Sequence, residues 1–176
     1  MTAANAPTIT PATSGSSTEP PTAPPLDSRV IALAHHAARA VLETVLARHG
    51  LTFQELVTLR LFAIADTAVE RDTVGGQVVD ALKIDPVRAR GVIEELIAKE
   101  LVASDVSETS RLRATDAGRA LYTETGAETA PISARIYAGI PAEDLAIAGR
   151  VLAEITERAN TELAALSEQP PATLPR

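Results

Sequence analysis

Apolar side chains recur at helical spacing along most of this chain, and short strand-like runs interrupt that rhythm between Leu101 and Thr115. Val30, Ile31, Ala34, Ala37, Ala38, Val41, Leu42, Val45 and Leu46 form a wide stripe, which predicts a helix over about 29–49, capped by Asp27-Ser28 and ended by Gly50. Thr52 and Glu55 stand at capping-box spacing, and Leu56, Leu59, Phe62 and Ala63 carry a second helix to about Ala68. From Thr73 the pattern is weaker, because Val74-Gly75-Gly76 is a poor helix start, yet Val78, Val79 and Leu82 supply the apolar face of a short third helix. Asp85 then caps and Pro86 takes the first position of a helix over about 86–100. That helix buries Ala89, Val92, Ile93, Leu96 and Ile97, and its opposite ridge is Val87, Gly91, Glu94 and Ala98.

Leu101–Val106 and Arg111–Thr115 read as two strands joined by the polar turn Ser107-Glu108-Thr109-Ser110. Thr115-Asp116 caps a further helix to about Ala138, with a kink expected at Gly126 and Pro131. After Gly139-Ile140-Pro141 the last helix carries Leu145, Ala148, Leu152, Ile155, Ala159, Leu163 and Leu166, a narrow stripe of the kind that seeks another helix. The predicted fold is mainly α with a small β-hairpin, a winged helix-turn-helix with helical arms. Its arms fall at about 29–49 and 142–167 and its lobe at about 52–115. Residues 1–28, with six prolines among Thr, Ala and Ser, and residues 168–176 read as flexible tails.

Composition sharpens this. Aromatics are 2% and Trp is absent, so the core must come from Leu, Val, Ile and Ala, which suits helix packing. With no Cys, disulfides and thiolate metal sites are excluded, and a cytoplasmic setting is favoured. No apolar run approaches the ~18 residues that read as a membrane span, and no membrane partner is expected. None of His35, His36 and His49 has a carboxylate at metal-motif spacing on its own helix, so no metal or cofactor is expected. Nor is an enzyme: no Ser-His-Asp order or paired-carboxylate constellation stands out, and Gly75-Gly76 lacks the lysine of a phosphate loop.

The net charge of -7 runs against a nucleic-acid binder, but it is unevenly spread. Six basic residues lie between 72 and 113 against eight acidic ones, and they fall at motif positions. Arg88 and Arg90 open the Pro86 helix, straddling its exposed ridge, where a groove reader needs donors for phosphates and base edges. Arg111 and Arg113, two apart on a strand, point the same way and suit a minor-groove phosphate.

Over residues 29–167 the sequence resembles the MarR family of transcriptional regulators. Leu51-Thr52-Phe53-Gln54 with Leu59 looks like that family's Leu-Thr-x-x-Gln helix start, Gln77-Val78-Val79-Asp80-Ala81-Leu82 like its Glu-Leu-Ala-x-x-Leu helix, and Thr115-Asp116-Ala117-Gly118-Arg119 like its Leu-Thr-x-x-Gly-Arg segment. The resemblance implies a homodimer held by the first and last helices, binding a palindromic operator in double-stranded DNA and often released by a small-molecule effector. By position, Val87, Arg88 and Arg90 become recognition-helix contacts, and Arg111 and Arg113 wing contacts. His35, His36 and Tyr122 are the candidate polar handles for an effector. The sequence departs from the family in a short wing without its Asp-x-Arg signature, in Gly91 where an arginine is usual, and in Glu100 where glycine normally turns the chain into the wing. These departures and the acidic balance leave a second function open, a winged-helix interaction module that sequesters or pairs with a partner.

Overall fold

A computed structural model describes residues 25–106 and 108–168; the tails at 1–24 and 169–176, and Ser107 in the wing turn, lie outside the described residues. The chain divides into two compact units, Met1–Ala38 and Arg39–Arg176, with the first helix crossing the boundary.

Helix α1 runs Ser28–Leu46. It begins where the Asp27 carboxylate accepts from Val30 N at 2.8 Å, and a 3-10 turn, Ala47–His49, ends it at Gly50 with φ 64°. Length and composition would let Ser28–His49 cross a membrane, with a mean hydropathy of 1.3 in its most apolar window, which corrects the expectation that no such stretch exists. Its pattern is nevertheless interrupted by charge, since Arg39 and Glu43 face each other at 2.9 Å.

In the second unit, α2 (Phe53–Ala63) starts on the full capping box: Thr52 N donates to Glu55 Oε2 at 2.8 Å and Glu55 N to Thr52 Oγ1 at 3.2 Å. It stops at Ala63 and not near Ala68, because Val69–Glu70 is drawn into a strand, β1, that the sequence did not announce. Helix α3 (Arg71–Leu82) starts two residues before Thr73 and carries Gly75 and Gly76 inside it. Its start is secured from outside: Arg71 N donates to Ser110 O at 3.1 Å. Helix α4 (Pro86–Ala98) opens as expected, with Asp85 accepting from Val87 N and Arg88 N.

Strands β2 (Val102–Ser104) and β3 (Arg111–Ala114) form the hairpin. The sheet is antiparallel, ordered β1-β3-β2, with Val69 opposite Leu112 and Ala103 opposite Arg113. Glu100 turns the chain into β2 at φ 59°, the left-handed backbone for which glycine is the usual residue. Helix α5 (Asp116–Tyr137) runs on through Pro131 as one element. Gly118 is required there, because a Cβ would lie 2.1 Å from Leu101 O. Helix α6 (Ala142–Glu168) has no buried residue.

The core joins Leu59 and Phe62 of α2, Val74 and Val78 of α3, Ala89, Ile93 and Leu96 of α4, and Leu112 and Ala114 of β3. It clamps α3 and α4 at a fixed mutual position and sets the hairpin beside them.

Candidate nucleic-acid interface

A helix-turn-helix of α3 and α4 flanked by a β-hairpin defines a winged helix-turn-helix. Burying Ala89, Val92, Ile93 and Leu96 turns the opposite face of α4 outward. Val87 is 69% exposed at its leading end. Arg90 is exposed, and its side chain makes no hydrogen bond or ion pair with any described residue. It borders an open groove of about 330 Å³ together with Pro86 of the same helix and Arg71, Gly75 and Gly76 of α3.

Arg88 is placed differently. Its Nε donates to Gln54 Oε1 on α2 at 3.0 Å and its Nη1 to Glu95 Oε1, two turns along α4, at 2.8 Å. Both partners are on the surface, and an exposed ion pair is worth about 0–1 kcal/mol, so a phosphate can take the guanidinium over at small cost. Asp85 is held below the usual carboxylate range chiefly by the Arg88 backbone N–H, with slight burial opposing and the Val87 N–H adding to the effect. As an N-cap it therefore stays ionised and occupies the first amides of α4. Glu94, on the exposed ridge, pairs with Arg71 at the start of α3, so its charge is offset where an unpaired carboxylate would repel phosphate.

In the wing, Arg113 is exposed and Arg111 is half-buried, with Leu112 and Ala114 turned inward between and beyond them. The two arginines share a face, as their spacing requires, but Arg111 is spent inside the protein: it donates from Nη2 to Ala68 O and lies 3.7 Å from both Glu70 and Glu108. Its Nε is buried without a hydrogen-bond acceptor.

At the far end of α4, Lys99 Nζ donates to Gly50 O at 2.7 Å and lies 2.5 Å from Glu55 Oε1. Glu55 is buried. Burial pushes its pKa up, but the Lys99 ammonium and the Thr52 bonds outweigh this and leave it below the ordinary value. The pair ties α2 to the end of α4.

Of the effector candidates, His35 and His36 are exposed on α1 with ring centroids 5.5 Å apart. Tyr122 is half-buried against the core from α5. Sequence reasoning set His49 aside for want of a carboxylate on its own helix; it meets Glu128 of α5 at 3.0 Å. Glu124 and Glu128 stand one helical turn apart, a visible signal, but their histidine partner is 79 residues from Glu128 and on another element.

No family model and no curated protein matches the sequence. Solved structures do. A MarR-family transcriptional regulator from Rhodococcus sp. RHA1 is similar with a TM-score of 0.61 at 22% identity, over 72% of this chain and 91% of that one. CouR from Rhodococcus jostii RHA1, bound to p-coumaroyl-CoA, gives a TM-score of 0.61 at 20% identity over 72% and 88%. BpsR of Bordetella bronchiseptica, whose DNA binding is regulated by 6-hydroxynicotinic acid, gives 0.58 at 23% over 74% and 93%. What is shared at these identities is the architecture: this chain has the winged-helix fold of the MarR-type transcriptional regulators.

Proposed function

We propose that the chain is a DNA-binding transcriptional regulator without catalytic activity, acting in the cytoplasm as a homodimer on a palindromic operator, with α4 entering the major groove. The observation that carries this is the outward face at the start of α4, where Val87 and an unpartnered Arg90 stand on a core-fixed helix beside a wing bearing Arg113. Arg88 joins them by exchanging Glu95 for phosphate. Arg111 contributes by bracing the wing.

Dimerisation is supported by apolar side chains left uncovered on the arms. Leu33 on α1, Ile136 and Tyr137 on α5, and Leu152, Leu163 and Leu166 on α6 are each at least 40% exposed. Uncovered apolar side chains on each of these helices mark it as an interaction element. Scattering or light scattering on the full chain reads the dimer directly, and a monomer at micromolar concentration overturns this part of the proposal. A small-molecule effector is supported by the fold's occurrence in CouR with p-coumaroyl-CoA and in BpsR with 6-hydroxynicotinic acid, and His35, His36 and Tyr122 remain candidate handles.

The net charge of -7 and the internal pairing of Arg88 and Arg111 favour a second reading, an interaction module that has lost DNA contact. Fluorescence anisotropy with the DNA upstream of the chain's own reading frame, at two salt concentrations, separates them. Salt-sensitive binding that Arg90→Ala weakens supports the regulator; no binding by a stable dimer supports the module.

A further inference from the structure

We propose that His49, Glu124 and Glu128 form a divalent transition-metal site, of the kind that takes Zn²⁺. Their candidate donor atoms lie within 4.8 Å of one another. His49 Nε2 and Glu128 Oε1 are already 3.0 Å apart, close to the ~3.3 Å between neighbouring donors around a tetrahedral zinc with bonds of about 2.0–2.1 Å. Glu124 is exposed, and its carboxylate oxygen lies within the same 4.8 Å.

Glu124 and Glu128 are one turn apart on the same face of α5, and like charges at that spacing destabilise a helix. Arg48 reaches Glu128 only at 3.6 Å and from the solvent side, with 65% of its side chain exposed. The His49 side chain is 12% exposed and that of Glu128 37%, so the pair is part-buried. One imidazole and two carboxylates suit zinc, and three protein donors leave a fourth place for water.

The site is joined to α4 through a short path. His49 is followed by Gly50, whose carbonyl accepts from Lys99 at the end of α4. Metal at His49 would thus bear on how α4 is held, which rests on the DNA-binding proposal; occupancy of the site does not.

The test measures Zn²⁺ uptake by the untagged full chain against a chromophoric chelator, with no DNA present. The expected result is one Zn²⁺ per chain and a loss of affinity of at least about tenfold in Glu124→Gln, no smaller than removal of an outer-shell partner causes at known sites. His49→Ala should lose as much, with helicity checked by circular dichroism, whereas the His35→Ala/His36→Ala double variant should bind as the parent does. Absence of uptake, or uptake that survives Glu124→Gln and vanishes in the double variant, overturns the site and leaves the DNA-binding proposal standing.

Discussion

Arg88 and Glu95, seven residues apart on α4, form an ion pair of 2.8 Å along the face that the helix turns to solvent. The pair holds the Arg88 guanidinium against its own helix. Replacing Glu95 by Gln removes one negative charge from that face and leaves Arg88 with Gln54 alone. We expect DNA affinity to rise, because Arg88 then reaches phosphate without first giving up Glu95, while the slope of log K against log salt stays as in the parent, since the same phosphate is neutralised in both. Titrations at four or more salt concentrations check this; a slope steeper by about one in the variant would mean that Arg88 stays on Glu95 in the parent complex.

Three other arginines divide by what already holds them. Arg90→Ala should weaken DNA binding and flatten the salt slope by about one if it meets phosphate, or cost about 1–3 kcal/mol at one base pair if it reads a base edge. Arg113→Ala should act in the same direction through the wing. Arg111→Ala should chiefly lower stability, by about 1 kcal/mol, because its bonds run to Ala68, Glu70 and Glu108. Thermal melts and binding curves on the three variants distinguish these roles, and an Arg111→Ala protein of parental stability would contradict the assignment.

The parts of this fold that are written locally were legible. The Thr52–Glu55 box, the Asp85-Pro86 start and the buried row Ala89, Val92, Ile93 and Leu96 each need only a few consecutive residues to specify them. The winged-helix order followed. Strand β1 was not legible, since two residues make no periodicity and Val69–Glu70 becomes a strand only by pairing with Leu112 and Arg111. The same reason hid the state of the arginines. Gln54 lies 34 residues from Arg88, and Glu94 lies 23 from Arg71. Spacing places a side chain on a face, while packing between elements decides which neighbour engages it. Glu94 shows the difference: spacing puts it on the exposed ridge, and only packing between elements gives it Arg71 as an ion-pair partner.

Glu55 and Lys99 give the fold a defined acid sensitivity. Burial raises the Glu55 pKa, but Lys99 and Thr52 more than reverse it, so its folded value lies below the ordinary 4.5. A carboxyl with a depressed folded pKa adds stability above its unfolded pKa and loses it as pH falls through the folded one. Stability should therefore fall below about pH 4.5 in part through this residue. Lys99→Met removes the ammonium that offsets burial, and should cost about 1–3 kcal/mol near neutral pH while flattening the acid limb. Urea unfolding from pH 3 to 7 checks both, and a parallel displacement of the two stability curves would show that Lys99 does not set the titration of Glu55.

Gly118 and Gly126, both on α5, should respond in opposite directions to the same added methyl group. At Gly118 a Cβ falls 2.1 Å from the Leu101 carbonyl oxygen, a backbone atom that cannot rotate away. That oxygen also accepts from Thr115 N at 3.0 Å, so displacing it disturbs the junction between the wing and α5. Gly118→Ala should destabilise by about 1–3 kcal/mol, the usual range for overpacking. At Gly126 nothing lies within 4 Å of the added Cβ, and exchanging glycine for alanine in an exposed helix interior gains about 1 kcal/mol. Melting curves on the two single variants decide it. Equal and small effects would mean that α5 can slide relative to Leu101, and the wing would then not be fixed at the angle a groove reader needs.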